Sequence, residues 1–344
     1  MSKKPLIYFC DDKPKWTDQF EQRHKREYEI RTVNDAMMFK NGLETMLKNE
    51  EYPDIILIDL YHPNNDPNSD EQKKLDKIGQ EAIKQLDKDI EKAKGSILKT
   101  WNPSGYYMLE LARELCPNTP IAIYTEQGLT LAEDNDLERV SKSNGEWFLK
   151  GKTAFYESRK LERMLSKQIF KIKRPLIYFC DDKLKWTEQF EERHKKKFDI
   201  RTTNDAVEFG RGLKDMVKQG EIPDIILIDL YHPNGDDPAS DEQKKLDIIG
   251  QAAIAQLDKD IEKVKSTILK AWNPCGYDML EQARELCPNI PIAIYTEHGL
   301  TLADDGELER VSKSNGEWFL KGKPAFYEKR KLEKMLNDKI FRIR

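Results

Sequence analysis

Asp54-Ile55-Ile56-Leu57-Ile58-Asp59 is an unbroken apolar run held between two aspartates. Apolar residues at consecutive rather than alternate positions predict a strand buried on both faces, as in a parallel sheet covered by helices. Working outward, Leu6–Cys10 followed by Asp11-Asp12, and Ile121–Thr125 preceded by Pro120, have the same character. Tyr28–Val33 alternates and predicts a half-buried strand, and Trp147-Phe148-Leu149 supplies a fifth. Helical spacing lies between them. Pro14 to about Arg26 carries Trp16 and Phe20 at i, i+4, and Asn34-Asp35 caps a segment from Ala36 to about Lys48. Gly105–Leu115, Leu129 to about Lys142 and Phe155–Ile169 complete the set.

The pattern is written twice. Pro5–Lys13 returns as Pro175–Lys183, an offset of 170 that becomes 171 after one extra residue near Gly235. Roughly three in four positions match, and the period is that of a whole domain rather than of a solenoid repeat. The copies are residues 1–172 and 173–344, joined near Lys171-Ile172-Lys173-Arg174 without a Gly/Ser-rich or Pro-rich linker. Near-identical surfaces on a short tether predict that the copies pair as an intrachain pseudo-dimer. Five strands alternating with five helices predict, for each copy, a flavodoxin-like (βα)5 fold with parallel strand order 2-1-3-4-5. Ligands of such sheets sit at the carboxyl ends of the strands.

One segment stands outside that scheme. After strand three, residues of about 64–104, and of about 234–275 in the second copy, occupy a connection that ordinarily takes roughly 2–6 residues. Leu75, Ile78, Ala82, Leu86, Ile90, Ala93 and Ile97 recur at spacings of three and four, which predicts an amphipathic helix with a bend near Gly95-Ser96. Its narrow stripe calls for packing on its own domain, or for a helix partner in the other copy or another protein.

Composition narrows the function classes. With 58 Lys and Arg against 62 Asp and Glu, the net charge of −4 lacks the basic surplus of a nucleic-acid-binding protein. No apolar run is long enough to span a membrane, and Leu6–Cys10 is too short for the apolar region of a signal peptide. The five dispersed cysteines, Cys10, Cys116, Cys180, Cys275 and Cys287, have no metal-type spacing and fit a reducing cytoplasm.

The strand ends gather the chemistry. Asp11 and Asp12 follow strand one, Asp59 ends strand three, Thr125 strand four, and Lys150 strand five. On one rim, three carboxylates repel each other and raise one another's pKa unless a cation is present. A hard divalent ion answers this, and Mg²⁺ fits better than Ca²⁺ because it takes a few carboxylates together with waters and phosphate oxygens. A threonine hydroxyl and a lysine there suit phosphoryl oxygens, and an aspartate beside the ion can attack phosphorus.

Asp11-Asp12, Asp59-Leu60-Tyr61-His62-Pro63, Tyr124-Thr125 and Phe148-Leu149-Lys150, in that order, resemble the response-regulator receiver domain, the CheY-like superfamily of two-component signalling. Asp181-Asp182, Asp229–Pro233, Tyr295-Thr296 and Phe319-Leu320-Lys321 repeat the likeness, which covers each copy apart from the insertion. The resemblance implies phosphoryl acceptance on Asp59 and Asp229. It implies Mg²⁺ held by Asp11, Asp12, Asp59 and the backbone carbonyl of Tyr61, and by Asp181, Asp182, Asp229 and that of Tyr231. Thr125 and Thr296 would bind a phosphoryl oxygen and move inward, and Lys150 and Lys321 would pair with the phosphorylated aspartate. Trp147 and Trp318 occupy the family's aromatic switch position. The implied partner is a histidine kinase or phosphotransfer protein. The implied output is a change in protein contacts, with no catalysis beyond self-phosphorylation.

The chain departs from the family at several points. Glu126 and Glu297 follow the threonine where a small residue is usual, Gly rather than Pro follows each lysine, and Tyr61 and Tyr231 are bulky. The insertion falls beside the acceptor. Together these keep a second expectation open, a pseudo-receiver scaffold that binds proteins through the inserted helices without phosphorylation. An aspartate-based phosphohydrolase of related fold is disfavoured, since its Asp-x-Asp loop is absent from Asp59-Leu60-Tyr61 and Asp229-Leu230-Tyr231.

Overall fold

A computed structural model describes residues 4–63, 69–125, 128–150, 152–165, 174–233, 241–321 and 323–337. The first copy runs β1 (Leu6–Cys10), α1 (Pro14–His24), β2 (Glu29–Val33), α2 (Ala36–Lys48), β3 (Ile55–Asp59) and β4 (His62–Pro63). It continues with α3 (Asp70–Thr100), β5 (Trp101–Asn102), α4 (Gly105–Leu115), β6 (Ile121–Thr125), α5 (Gly128–Leu131), α6 (Asp134–Lys142), β7 (Gly145–Leu149) and α7 (Ala154–Leu165). The second copy repeats the order as β8 (Leu176–Cys180), α8 (Leu184–His194), β9 (Asp199–Thr203), α9 (Ala206–Lys218), β10 (Ile225–Asp229) and β11 (His232–Pro233). It closes with α10 (Asp241–Ala271), β12 (Trp272–Asn273), α11 (Gly276–Leu286), β13 (Ile292–Thr296), α12 (Gly299–Leu302), α13 (Asp305–Lys313), β14 (Glu317–Leu320) and α14 (Ala325–Asn337).

Two five-stranded parallel sheets result, in orders β2-β1-β3-β13-β14 and β9-β8-β10-β6-β7. Numbered by position within a copy, each order is 2-1-3-4-5, as expected. The unexpected feature is provenance: strands one to three of each sheet come from one copy and strands four and five from the other. The compact units are accordingly Met1–Leu86 with Ile261–Arg344, and Asp87–Asp260. The copies 1–172 and 173–344 are units of sequence and not of space.

The inserted helices carry the exchange: α3 and α10 each begin in one unit and end in the other. The 31 residues of α3, Gly95 and Ser96 among them, are helical without interruption. The chain that leaves β3 through α3 takes up its fourth strand in the other sheet, as β6 beside β10. Ile90, Ala93 and Ile97 of the expected stripe are buried, whereas Ile78 is half exposed.

Both faces of each sheet are covered, as the continuous apolar runs require. In the first unit Tyr8, Cys10, Ile56 and Ile58 pack with Phe39 and Leu43 of α2 and with Leu280 and Ala283 of α11. On the opposite face Ile7, Phe9, Leu57 and Tyr295 pack with Phe20 of α1 and Leu332 of α14. The second unit repeats the first of these clusters, with Tyr178, Ile226 and Ile123 against Phe209 of α9 and Leu109 of α4.

Polar contacts join the exchanged parts. Glu328 of α14 is fully buried; it accepts from Tyr295 Oη at 2.9 Å and Arg23 at 3.0 Å, and lies 3.0 Å from His24 Nε2. Glu157 does the same with Tyr124, Arg193 and His194 at 2.8, 3.1 and 3.0 Å. Two antiparallel ribbons, β4 with β12 and β5 with β11, add a further join in each unit. No described helix is long and apolar enough to cross a membrane.

Candidate functional site

The parallel strands of each unit end on one rim, and the expected site residues meet there, drawn from both copies. In the first unit Asp11 and Asp12 follow β1, Asp59 ends β3, Thr296 ends β13, and Lys321 follows β14. Lys321 Nζ lies 2.7 Å from Asp11 Oδ2 and 2.9 Å from Asp59 Oδ1. In the second unit Lys150 Nζ lies 2.7 Å from Asp181 Oδ2 and 3.0 Å from Asp229 Oδ1. Asp59 is thus served by Lys321 and Thr296, and Asp229 by Lys150 and Thr125. A reading that assembles each site within one copy is corrected on this point, because β3 is followed in its sheet by β13 and β10 by β6.

Backbone groups fix the carboxylates. The Lys13 N–H donates to Asp11 Oδ1 at 2.9 Å and the Leu60 N–H to Asp59 Oδ1 at 2.9 Å. The second unit has Lys183 N–H to Asp181 Oδ1 at 3.0 Å and Leu230 N–H to Asp229 Oδ1 at 2.8 Å. The exchanged halves meet closely here. The Gly276 N–H donates to Leu60 O at 3.1 Å, and a Cβ at Gly276 would stand 2.5 Å from the Asp59 carbonyl oxygen. Gly105 stands in the same relation to Asp229 and Leu230, so both positions require glycine for the approach of α4 and α11.

In each trio the ligand oxygens lie within 4.8 Å of one another. Burial, then the neighbouring Asp59 charge, pushes Asp11 and Asp12 up to about 7, against the opposing pull of Lys321. Burial and Asp229 likewise push Asp181 up to about 7 and Asp182 up to about 8. Burial by itself lowers Lys150 and Lys321, but the two carboxylates beside each outweigh it and hold both ammonium groups above the ordinary lysine range. Asp12 Oδ1 and Asp182 Oδ1 are buried without a hydrogen-bond partner. A buried, orphaned carboxylate oxygen is costly, and a divalent cation would satisfy it. The acidic clusters could therefore bind a metal.

Thr296 is buried and its Oγ1 accepts from the Gly299 N–H at 3.1 Å; Thr125 is buried at the matching place. Glu297 is exposed, while Glu126 lies outside the described residues. Trp147 and Trp318 are half-buried, edge-on to Tyr106 and Tyr277 at 6.4 and 6.3 Å. Tyr61 packs against the core below the site, and Tyr231 lines a cavity beside Asp229. His62 and His232 are buried in the ribbons with Nε2 unpartnered, and burial lowers the His232 pKa. Cys10 and Cys180 are core residues whose thiols burial pushes up.

The insertion reaches the site, which its polarity pattern did not announce. Trp101 and Trp272, directly after α3 and α10, donate through Nε1 to Asp247 and Asp76 at 2.8 Å. Each ring lies on a helical glycine, Gly250 and Gly79, where a Cβ would come within 2.8 and 2.7 Å of it. Beside Asp229 lies a cavity of about 20 Å³, lined by Thr125, Lys150, Lys183 and Tyr231 together with Trp101, Ile97 and Ile254. That is room for a water-sized occupant. No protein-family model and no curated protein sequence matches this chain.

Proposed function

We propose that each unit is a receiver-like phosphoacceptor, taking a phosphoryl group on Asp59 in the first unit and Asp229 in the second. The observation that carries this reading is the trio of strand-end aspartates with a lysine bridging two of them at 2.7 to 3.0 Å, found in both units. Asp11, Asp12 and Asp59, or Asp181, Asp182 and Asp229, would hold Mg²⁺, whose charge would offset the trio's repulsion and that of an incoming phosphoryl group. Lys321 and Leu60 N–H both engage Oδ1 of Asp59, which leaves Oδ2 to attack phosphorus. The bond from phosphorus to the donor breaks, the donor leaves with the electron pair, and an acyl phosphate remains. Lys321 and Thr296, or Lys150 and Thr125, then hold oxygens of the transferred group. A histidine kinase or phosphotransfer protein is the proposed donor, and altered protein contacts are the proposed output.

The scaffold reading draws support from one observation: the acceptor side chains are only 5% and 7% exposed. Intact-mass measurement after acetyl phosphate and Mg²⁺ separates the two. Two added phosphoryl groups, with one lost in each of Asp59→Asn and Asp229→Asn, are expected of phosphoacceptors. No addition, with a competent receiver labelled in parallel, leaves the scaffold.

A further inference from the structure

We propose that Lys183, with Lys13 as its counterpart, is an oxyanion-binding residue of the carboxylate pocket, set in place by the tryptophan that ends the inserted helix. The inference rests on the phosphoacceptor reading and adds a second cation to it. Lys183 lines the same small cavity as Thr125, Lys150 and Asp229. Its Nζ stands 4.6 Å from the Trp101 ring centroid, and Lys13 Nζ stands 4.7 Å from that of Trp272. Those rings cannot drift, being held by Asp247 and Asp76 and seated on Gly250 and Gly79. An ammonium against a ring face keeps other N–H donors for an anion.

The local sequence fits such an anion. Lys13 and Lys183 are the N-cap residues of α1 and α8, and neither makes a side-chain cap. Ser, Thr, Asp and Asn are favoured at that position, and a cation there faces the positive end of the helix dipole. Charge counting gives a reason. With all groups ionised, Asp181, Asp182 and Asp229 against Lys150 and Lys183 leave one negative charge. A divalent ion makes that one positive, and converting Asp229 to a dianionic acyl phosphate brings the pocket to neutrality. With Lys150 as the only lysine the same loaded pocket would stay negative.

The test uses the full chain carrying Asp12→Asn and Asp59→Asn, so that only the second unit reports. Calorimetry would follow Mg²⁺ alone, then beryllofluoride in the presence of Mg²⁺. The expected result is one beryllofluoride per chain, weakened about tenfold by Lys183→Met and largely recovered in Lys183→Arg, as for loss of one charge-assisted contact. Trp101→Phe, which keeps a ring face but loses the bond to Asp247, is expected to weaken it less. Mg²⁺ affinity should not fall in Lys183→Met, and retained Mg²⁺ binding also shows that the variant folds. Beryllofluoride affinity within twofold of the parent in both Lys183→Met and Trp101→Phe would overturn the assignment and leave the phosphoacceptor reading standing. A parent that takes neither beryllofluoride nor a phosphoryl group from acetyl phosphate would overturn both.

Discussion

The two carboxylate sites have the same geometry and opposite parentage. Lys321 from the second copy bridges Asp11 and Asp59 of the first, and Lys150 from the first bridges Asp181 and Asp229 of the second, with paired distances agreeing within 0.1 Å. Their surroundings differ in small ways. The N-cap of α11 is Cys275 where that of α4 is Ser104. The inserted helix carries Ile248 at 67% exposure where the first copy has Lys77. What persists across both is the arrangement at the rim, and what varies lies around it. The site is therefore a property of strand order and not of which copy supplies a strand.

The largest expected effect follows from the crossed parentage. In the Asp229→Asn chain, where Asp59 would be the remaining acceptor, Lys321→Met should cut labelling by acetyl phosphate by roughly 10²-fold or more. Lys150→Met should leave it unchanged. The reverse dependence, measured by intact mass, would break the exchanged assignment outright. Next in size is the buried glutamate. Replacing Glu328 by Ala orphans His24, Arg23 and Tyr295, which ordinarily costs about 3–5 kcal/mol. Hydrogen exchange should place the loss in the first unit, with the strands around Glu157 retaining their protection.

The aspartate titrations give a third test. Burial and the neighbouring carboxylate push Asp11, Asp12 and Asp181 up to about 7 and Asp182 up to about 8, all above the unfolded value of about 3.9. The native chain thus binds more protons than the unfolded chain between about pH 4 and 8, and stability falls as pH rises through that window. Metal-free protein should melt higher at pH 5 than at pH 8, with the slope reduced in Asp12→Asn/Asp182→Asn. Mg²⁺ should stabilise more at pH 8 than at pH 5, by up to about 2.7 kcal/mol per site at a hundredfold excess over Kd. Gly276→Ala should cost about 1–3 kcal/mol by pressing on the Asp59 carbonyl, in the first unit only. The smallest effect is Cys275→Ser, which makes the two N-caps alike and should leave both labelling and melting within about 0.5 kcal/mol.

Much of this was legible in the residues. The apolar runs Leu6–Cys10, Ile55–Asp59 and Ile121–Thr125 became buried parallel strands, and the aspartates after them came together at one rim. The exchange was not legible, for a physical reason. Ile121–Thr125 and Ile292–Thr296 have the same five residues, so either pairs equally well beside β3. Nothing within those five residues decides between them. Glu157 and Glu328 sit among Lys and Arg on their helices, a pattern that reads as solvent-facing. The ribbons are two residues per strand, too short to leave a periodicity.

The duplication has a kinetic meaning. A single copy carries strands one to three and strands four and five, yet in this chain the two sets lie in different sheets. Two separate copies would have to meet in solution, and the fraction of complete sites would rise and fall with protein concentration. Joined in one chain, the halves find each other at an effective concentration of about millimolar whatever the dilution. Expression level then sets how many sites there are, and no longer whether they are whole.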